Sequence, residues 1–215
     1  LGSLTHELKT PMTSIIGYSD TLLHVKISEE QQKKALEHIN SECRRLERLS
    51  GKMMTLIGLY DEDRIHKEPY PVDRLVREVA DLERYHMQDS QMELLAFSES
   101  WECEMDVDLM ESLLVNLLDN AIKASKPGSV IELHGEKGCI WVRDFGKGIP
   151  KEEIPRITEA FYMVDKSRSR KAGGIGMGLA LCQKIAEIHR ANLVIESVVG
   201  QGTKISVVFQ EETDE

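Results

Sequence analysis

The stretch Asn116-Leu117-Leu118-Asp119-Asn120-Ala121-Ile122-Lys123 has two unlike faces when wound as a helix. Asn116, Asn120 and Lys123 fall on one side at steps of four and three, while Leu113, Leu114, Leu117, Leu118 and Ile122 cover the other. Asparagine is a poor helix former, so two of them inside one helix argue for a role beyond structure. Amide oxygens are hard, neutral ligands suited to a Mg²⁺ ion that also holds phosphate oxygens, and Lys123 adds a point charge for phosphate. The competing reading is the ordinary polar face of a surface helix.

Working outward, Asp144-Phe145-Gly146-Lys147-Gly148-Ile149-Pro150 directly follows a predicted strand. A buried carboxylate at a strand end can accept a hydrogen bond from an exocyclic amine such as adenine's, and the glycines let backbone approach a ligand closely. Taken alone the segment also reads as a tight loop. Gly173-Gly174-Ile175-Gly176-Met177-Gly178 leads into a helix, which is a phosphate cradle by geometry and dipole. It lacks the GK[ST] of a P-loop and does not follow a strand immediately, which disfavours a dinucleotide fold. Between these motifs Lys166, Arg168, Arg170 and Lys171 form a basic run in an acidic chain, either a solvated loop or a lid over polyphosphate.

Periodicity predicts a helix at 72–88, strands near 93–98 and 102–106, and a helix at 107–125. Strands at 130–135 and 139–144 follow, then a helix at about 177–190. A strand pair, 192–198 and 203–210, closes the chain across Gly200-Gln201-Gly202. This mixture predicts an α/β sandwich with a mixed sheet over residues 69–215.

The first third is different. Apolar residues from Leu1 to Leu23 recur at threes and fours, predicting a helix over 1–24 that Pro11 should bend. Ser28, with Gln31 three residues on, is a capping-box start for a second helix through Ala35, Ile39, Cys43, Leu46, Leu49, Met53, Leu56 and Tyr60. Such a hairpin buries too little alone, so a dimer making a four-helix bundle is expected. Polar residues 61–71, with two prolines, mark the boundary between domains 1–68 and 69–215. The overall class is therefore α+β.

The first helix carries Thr5-His6-Glu7-Leu8-Lys9-Thr10-Pro11. Neutral imidazole is a competent nucleophile, Glu7 is placed to take its proton, and Thr10 shares the face of His6. A chance histidine on a solvated face is the plain alternative. A zinc-protease HExxH reading fails because Thr10 stands where the second histidine is required.

With 27 Lys and Arg against 37 Asp and Glu, the net charge of -10 disfavours nucleic acid and anionic membrane surfaces as partners. Apolar residues are 41% of the 215 and charged residues 30%, ordinary for a soluble protein, and no long apolar run could span a bilayer. Cys43, Cys103, Cys139 and Cys182 form no CxxC and are expected as buried small hydrophobes in a reducing compartment. The chain opens on Leu1-Gly2-Ser3-Leu4 without an initiator Met, so it is read as a fragment of a longer protein.

In this order and spacing the motifs resemble the histidine kinase family over essentially the whole chain. His6 to Pro11 looks like its H box and Asn116 to Lys123 its N box. Asp144 to Gly148 resembles the G1 box, Phe161-Tyr162 the F box, Gly174 to Gly178 the G2 box, and Gly200 to Thr203 the last glycine turn. The resemblance implies a dimerisation and phosphotransfer hairpin followed by a Bergerat-type ATP-binding domain. It implies His6 as phosphoacceptor, Glu7 as its base, and Thr10 as the residue that orients water in dephosphorylating the partner. It implies ATP and Mg²⁺ as cofactors, with Asn120 the primary metal ligand, Asn116 supporting it, Lys123 on phosphate and Asp144 on adenine. Gly146, Gly148, Phe161, Arg168, Arg170, Gly174, Gly176, Gly178 and Thr203 complete the implied nucleotide site. The implied partners are a second copy of the chain and a cognate response regulator, with no nucleic acid and no direct membrane contact. The implied setting is the cytoplasmic side of a membrane-anchored bacterial sensor. Two positions depart from the family pattern: Ala124 where an aromatic often stands, and Met163 where a basic residue often stands. The rival classes are an ATP hydrolase on the same fold, opposed by the His6 motif, and a non-enzymatic module with a degraded site. Intact His6, Asn120, Asp144 and the 174–178 glycines oppose the second.

Overall fold

Both predicted N-terminal helices form: α1 spans Gly2–His24, with Pro11 inside it, and α2 spans Glu29–Gly58. The capping box at the head of α2 is made in both directions. Gln31 N–H donates to Ser28 Oγ at 3.3 Å, and Ser28 N–H donates to Gln31 Oε1 at 3.0 Å. Glu29 and Glu30 add negative charge to the positive end of the helix dipole. The Tyr18 and His38 rings stack 4.9 Å apart, and Ala35 and Leu49 are buried on α2. The computed structural model describes residues 2–60, 65–164 and 176–210. They fall into two compact units, one up to Ile57 and one running from Gly58 to Val164 and again from Gly176.

The second unit is an α/β sandwich. Its elements are β1 Glu68–Pro71, α3 Val72–Leu82, α4 Arg84–Asp89, β2 Glu93–Ser98, β3 Glu102–Met105 and α5 Val107–Ala124. They continue with β4 Val130–Glu136, β5 Cys139–Asp144, a 3-10 turn at Ile154–Arg156, α6 Gly178–Ile188, β6 Ala191–Val198 and β7 Gly202–Phe209. The main sheet has the order β2-β4-β5-β7-β6, parallel between β2 and β4 and antiparallel elsewhere. Alternation along β4 sends Ile131 and Leu133 inward, in register with Asp144 and Val142 of β5 and with Thr203 and Ile205 of β7. That face receives α3, α5 and α6. Met110, Leu113, Leu114, Leu117 and Leu118 of α5 are all buried. At about 2 kcal/mol each, their burial holds α5 in place by on the order of 10 kcal/mol.

The N-terminus of α5 is fixed by polar contacts as well. Asp106 Oδ1 accepts from Leu109 N–H at 3.1 Å, and its Oδ2 accepts from His66 N–H at 3.0 Å. Asp106 N–H donates to His189 Nε2 at 2.9 Å, while His189 Nδ1 donates to the Ile185 carbonyl at 2.7 Å. One neutral tautomer satisfies both bonds, and burial pushes the His189 imidazole below its ordinary range. The helix that carries the two asparagines is thus anchored at its start.

Several expectations need correction. The helix predicted at 72–88 is broken at Glu83, where the backbone turns (φ -84°, ψ -2°) between α3 and α4. The strand near 102–106 does not join the main sheet but pairs with β1, a strand inside the polar, proline-bearing stretch. In a two-stranded ribbon the outer edges are free, so Pro69 and Pro71 are tolerated there. Of the four cysteines only Cys182 is fully buried; Cys43 is exposed and the other two are half-buried. Burial pushes the Cys103 thiol up to about 11.

Candidate active site

Asp144 is the last residue of β5 and stands in the inward row Ile131–Asp144–Thr203, with Ser197 of β6 opposite Thr203. It therefore closes the apolar face with a carboxylate, only 5% exposed. Its Oδ1 accepts from Gly146 N–H at 2.8 Å. Burial raises its pKa above the usual carboxylate range, and the Gly146 and Thr203 amides, with Lys147 nearby, partly offset that. The Thr203 hydroxyl lies 2.9 Å from Ser197 Oγ, which also takes a hydrogen bond from Ile149 N–H at 2.8 Å.

The loop after Asp144 is shaped by close backbone approach. A Cβ on Gly146 would sit 2.3 Å from the Ala124 carbonyl oxygen, and Lys147 N–H donates to that same oxygen at 3.1 Å. Gly148 has φ +67°, and a Cβ there would come within 2.1 Å of the Val198 carbonyl. The loop is thereby pinned between the C-terminus of α5 and the end of β6.

On α5, Asn116 is buried and donates from Nδ2 to the Ser112 carbonyl at 2.7 Å. One turn on, Asn120 presents a buried Nδ2 without a partner among the described residues, and Ser125 Oγ is likewise unsatisfied. An orphaned buried amide costs about 1–3 kcal/mol unless a ligand or water meets it. Lys123 Nζ lies 3.6 Å from Asp119 Oδ2 and is half-exposed. Gly178 begins α6. The Gly176 carbonyl accepts from Phe161 N–H at 2.7 Å, with Phe161 at φ +70°, so residues 161 and 176 are held together. Tyr162 donates its hydroxyl proton to Glu153, and the Arg156 guanidinium lies 4.2 Å above its ring.

Asn120, Asp144, Gly146, Gly148 and Thr203 thus gather around the junction of α5, β5 and β7. A buried carboxylate with free acceptor capacity and a glycine-walled loop fit a purine, and the orphaned Asn120 Nδ2, a donor, fits an acceptor such as a phosphate oxygen; a hard cation would have to be met by the amide oxygens of Asn120 and Asn116. Arg168, Arg170 and Gly174 lie outside the described residues, as do the side chains of His6 and Glu7, whose backbone is in α1. Thr10 is partly buried on the same helix. Ser197 was not foreseen. Its signal is a polar residue at the inward parity of a strand whose other inward positions are Ala191, Leu193 and Ile195.

The family model for histidine kinase-, DNA gyrase B- and HSP90-like ATPases matches residues 105–213, about half of the chain, and takes in Asn116, Asp144, Gly176 and Thr203. The model for the His Kinase A phospho-acceptor domain matches residues 1–56. The chain belongs to the sensor histidine kinase family. Among relatives of this kinase core, the sensor histidine kinase YkoH of Bacillus subtilis is 32% identical over 97% of the chain, and the sensor protein SrrB of Staphylococcus aureus is 28% identical over 94%. The chain spans 46% and 36% of their respective lengths. The fold is shared with histidine kinase ThkA in its complex with response regulator protein TrrA (TM-score 0.76, 21% identity, 99% of this chain and 61% of that one). It is shared also with AdeS of Acinetobacter baumannii (TM-score 0.67, 20% identity, 96% of this chain and 98% of that one). Among the described residues no helix is long and apolar enough to cross a membrane.

Proposed function

We propose that this kinase core transfers the γ-phosphoryl group of ATP to His6 and passes it on to an aspartate of a response regulator. The observation that carries the reading is the polar cluster of Asn120, Asp144 and the 146–148 loop, in a chain whose first 56 residues match a phospho-acceptor domain. Asp144 accepts from the adenine amine, and Gly146 and Gly148 let backbone lie against the base. Asn120, supported by Asn116, would hold the metal through its amide oxygen, and Mg²⁺ there would neutralise charge on the phosphates. Lys123 meets phosphate, as do Arg168, Arg170 and the 174–178 glycines. Phe161 and Thr203 frame the site. Glu7 takes the proton from His6 as the imidazole attacks, and Thr10 orients water when the regulator is dephosphorylated. The domains are 1–68 for phosphotransfer and 69–215 for nucleotide, on the cytoplasmic side of a membrane-anchored sensor. Labelling tests the whole reading. Incubation with γ-labelled ATP and Mg²⁺ yields protein-bound label that is acid-labile and base-stable, as phosphohistidine is; acid-stable label would overturn it.

We infer further that residues 1–60 pair with a second copy in a four-helix bundle. Met12, Ile16 and Leu23 of α1 and Leu36, Met54 and Ile57 of α2 are each more than half exposed in the single chain. Apolar residues in such number on two neighbouring helices ask for a partner. The full chain is expected to sediment as a dimer at micromolar concentration, and residues 69–215 alone as a monomer that still binds ATP. A monomeric full chain would count against the bundle.

A further inference from the structure

Beside the residues assigned to nucleotide, three side chains from two stretches of chain converge. Glu83 sits at the break between α3 and α4, His86 lies one turn later on α4, and Asp119 stands on α5. His86 Nδ1 is 2.8 Å from Glu83 Oε2 and 3.6 Å from Asp119 Oδ1. One ligand atom from each of the three lies within 4.8 Å of the other two. Glu83 is a buried carboxylate, 7% exposed.

The trio sets one imidazole nitrogen between two carboxylate oxygens. A ring nitrogen carries at most one proton, and the geometry gives it to Glu83, since 3.6 Å is too long for a hydrogen bond to Asp119. Two carboxylates therefore approach one another around a single imidazole nitrogen, and one of them is out of water. Removing a carboxylate from water is costly unless a cation meets it. Lys123 approaches Asp119 from the other side, at Oδ2, leaving Oδ1 directed at His86. A cation between the three donors would satisfy both carboxylates and the ring nitrogen together.

We propose that Glu83, His86 and Asp119 form a binding site for a transition-metal dication of the zinc class, distinct from the magnesium position at Asn120. One imidazole with two carboxylates is a donor set for Zn²⁺ or Co²⁺ rather than for Mg²⁺, which favours all-oxygen octahedra. Metal–ligand bonds of about 2.0–2.2 Å set tetrahedral donors about 3.4 Å apart, so the His86–Asp119 spacing of 3.6 Å already fits, while the His86–Glu83 pair at 2.8 Å would open slightly once its shared proton is lost. His86 and Asp119 are partly exposed, which gives the ion an entry path and a water to complete its shell. Occupancy would staple α4 to α5, the helix that carries Asn116 and Asn120.

The test uses the full chain, freed of metal by chelator and titrated with Co²⁺, whose visible absorption reports nitrogen and oxygen ligation in low coordination. The expected result is one saturating site per chain, displaced by Zn²⁺ and not by millimolar Mg²⁺. His86 is one of seven histidines, so its own variant must assign the signal. His86→Gln should weaken Co²⁺ binding by at least about tenfold, since even outer partners of a metal ligand are worth 10–100-fold. Asp119→Asn should do the same, and Zn²⁺ should raise the thermal midpoint of the parent but of neither variant. The metal-free variants are compared with the parent by circular dichroism, so that misfolding is recognised. Unchanged Co²⁺ affinity in both folded variants, or no saturable site in the parent, overturns the proposal and leaves Glu83–His86 as an ion pair.

Discussion

His6→Gln leaves the chain without acid-labile label after incubation with γ-labelled ATP, while its nucleotide affinity stays within about twofold of the parent. Glutamine keeps length and polarity but has no nucleophilic ring nitrogen, so loss of labelling is complete rather than graded. Binding is spared because Asn120 and Asp144 belong to a separate compact unit, whose own residues the substitution leaves unchanged. Equilibrium binding of a fluorescent ATP analogue, read beside the labelling, separates the two effects. Full labelling of the variant would move the acceptor elsewhere. Thr10→Ala on the same helix is the companion: it retains His6 labelling and slows loss of phosphate from the regulator, with Thr10→Ser restoring the rate. If Ser behaves as Ala does, the role of Thr10 is packing beside Pro11.

The second large effect is on recognition. Asp144→Asn lowers ATP affinity by about 10–100-fold, the equivalent of one charge-assisted hydrogen bond of 1.5–3 kcal/mol. Stability moves far less. Burial already raises the pKa of Asp144, so the carboxylate is a strained charge in the folded chain, and neutralising it relieves that cost. The relief offsets weakened acceptance from the Gly146 and Thr203 amides, and the unfolding free energy stays within about 1 kcal/mol of the parent. Asn120→Asp acts on the metal instead, changing the Mg²⁺ dependence of binding because ligand charge and donor pattern both change. Calorimetric titration against Mg²⁺-ATP and a denaturant melt of the same samples check both. An Asp144→Asn chain that binds ATP as tightly as the parent would place adenine elsewhere. One that fails to fold would make Asp144 a structural residue first.

Much of this was legible in the sequence because it is local. Spacings of three and four carry the helices α1, α2 and α5, since a helix brings those positions to one side whatever surrounds it. The Ser28–Gln31 capping box needs only four consecutive residues, and the atoms meet as the pattern requires. The alternation of β4 and β5 and the Gly200–Gly202 turn are likewise short-range. The chemical types proposed for the nucleotide site, two amides on one helix and a carboxylate at a strand end, were readable for the same reason.

What depended on distant parts of the chain was not readable. Glu68–Pro71 became a strand because Glu102–Met105 lay beside it, although two prolines argue for a loop. Trp141 points away from the helices and is still only 8% exposed, because the His134 ring stacks on it at 4.3 Å and Lys204 covers its other side. Asp144 became a buried acid only when β7 and the Gly146 loop closed around it. Glu83, His86 and Asp119 are ordinary residues apart and meet only because the break between α3 and α4 sets His86 beside Asp119 of α5. Periodicity states which way a side chain faces on its own element. Tertiary packing alone decides what it faces, and burial, pKa and ligation follow from that.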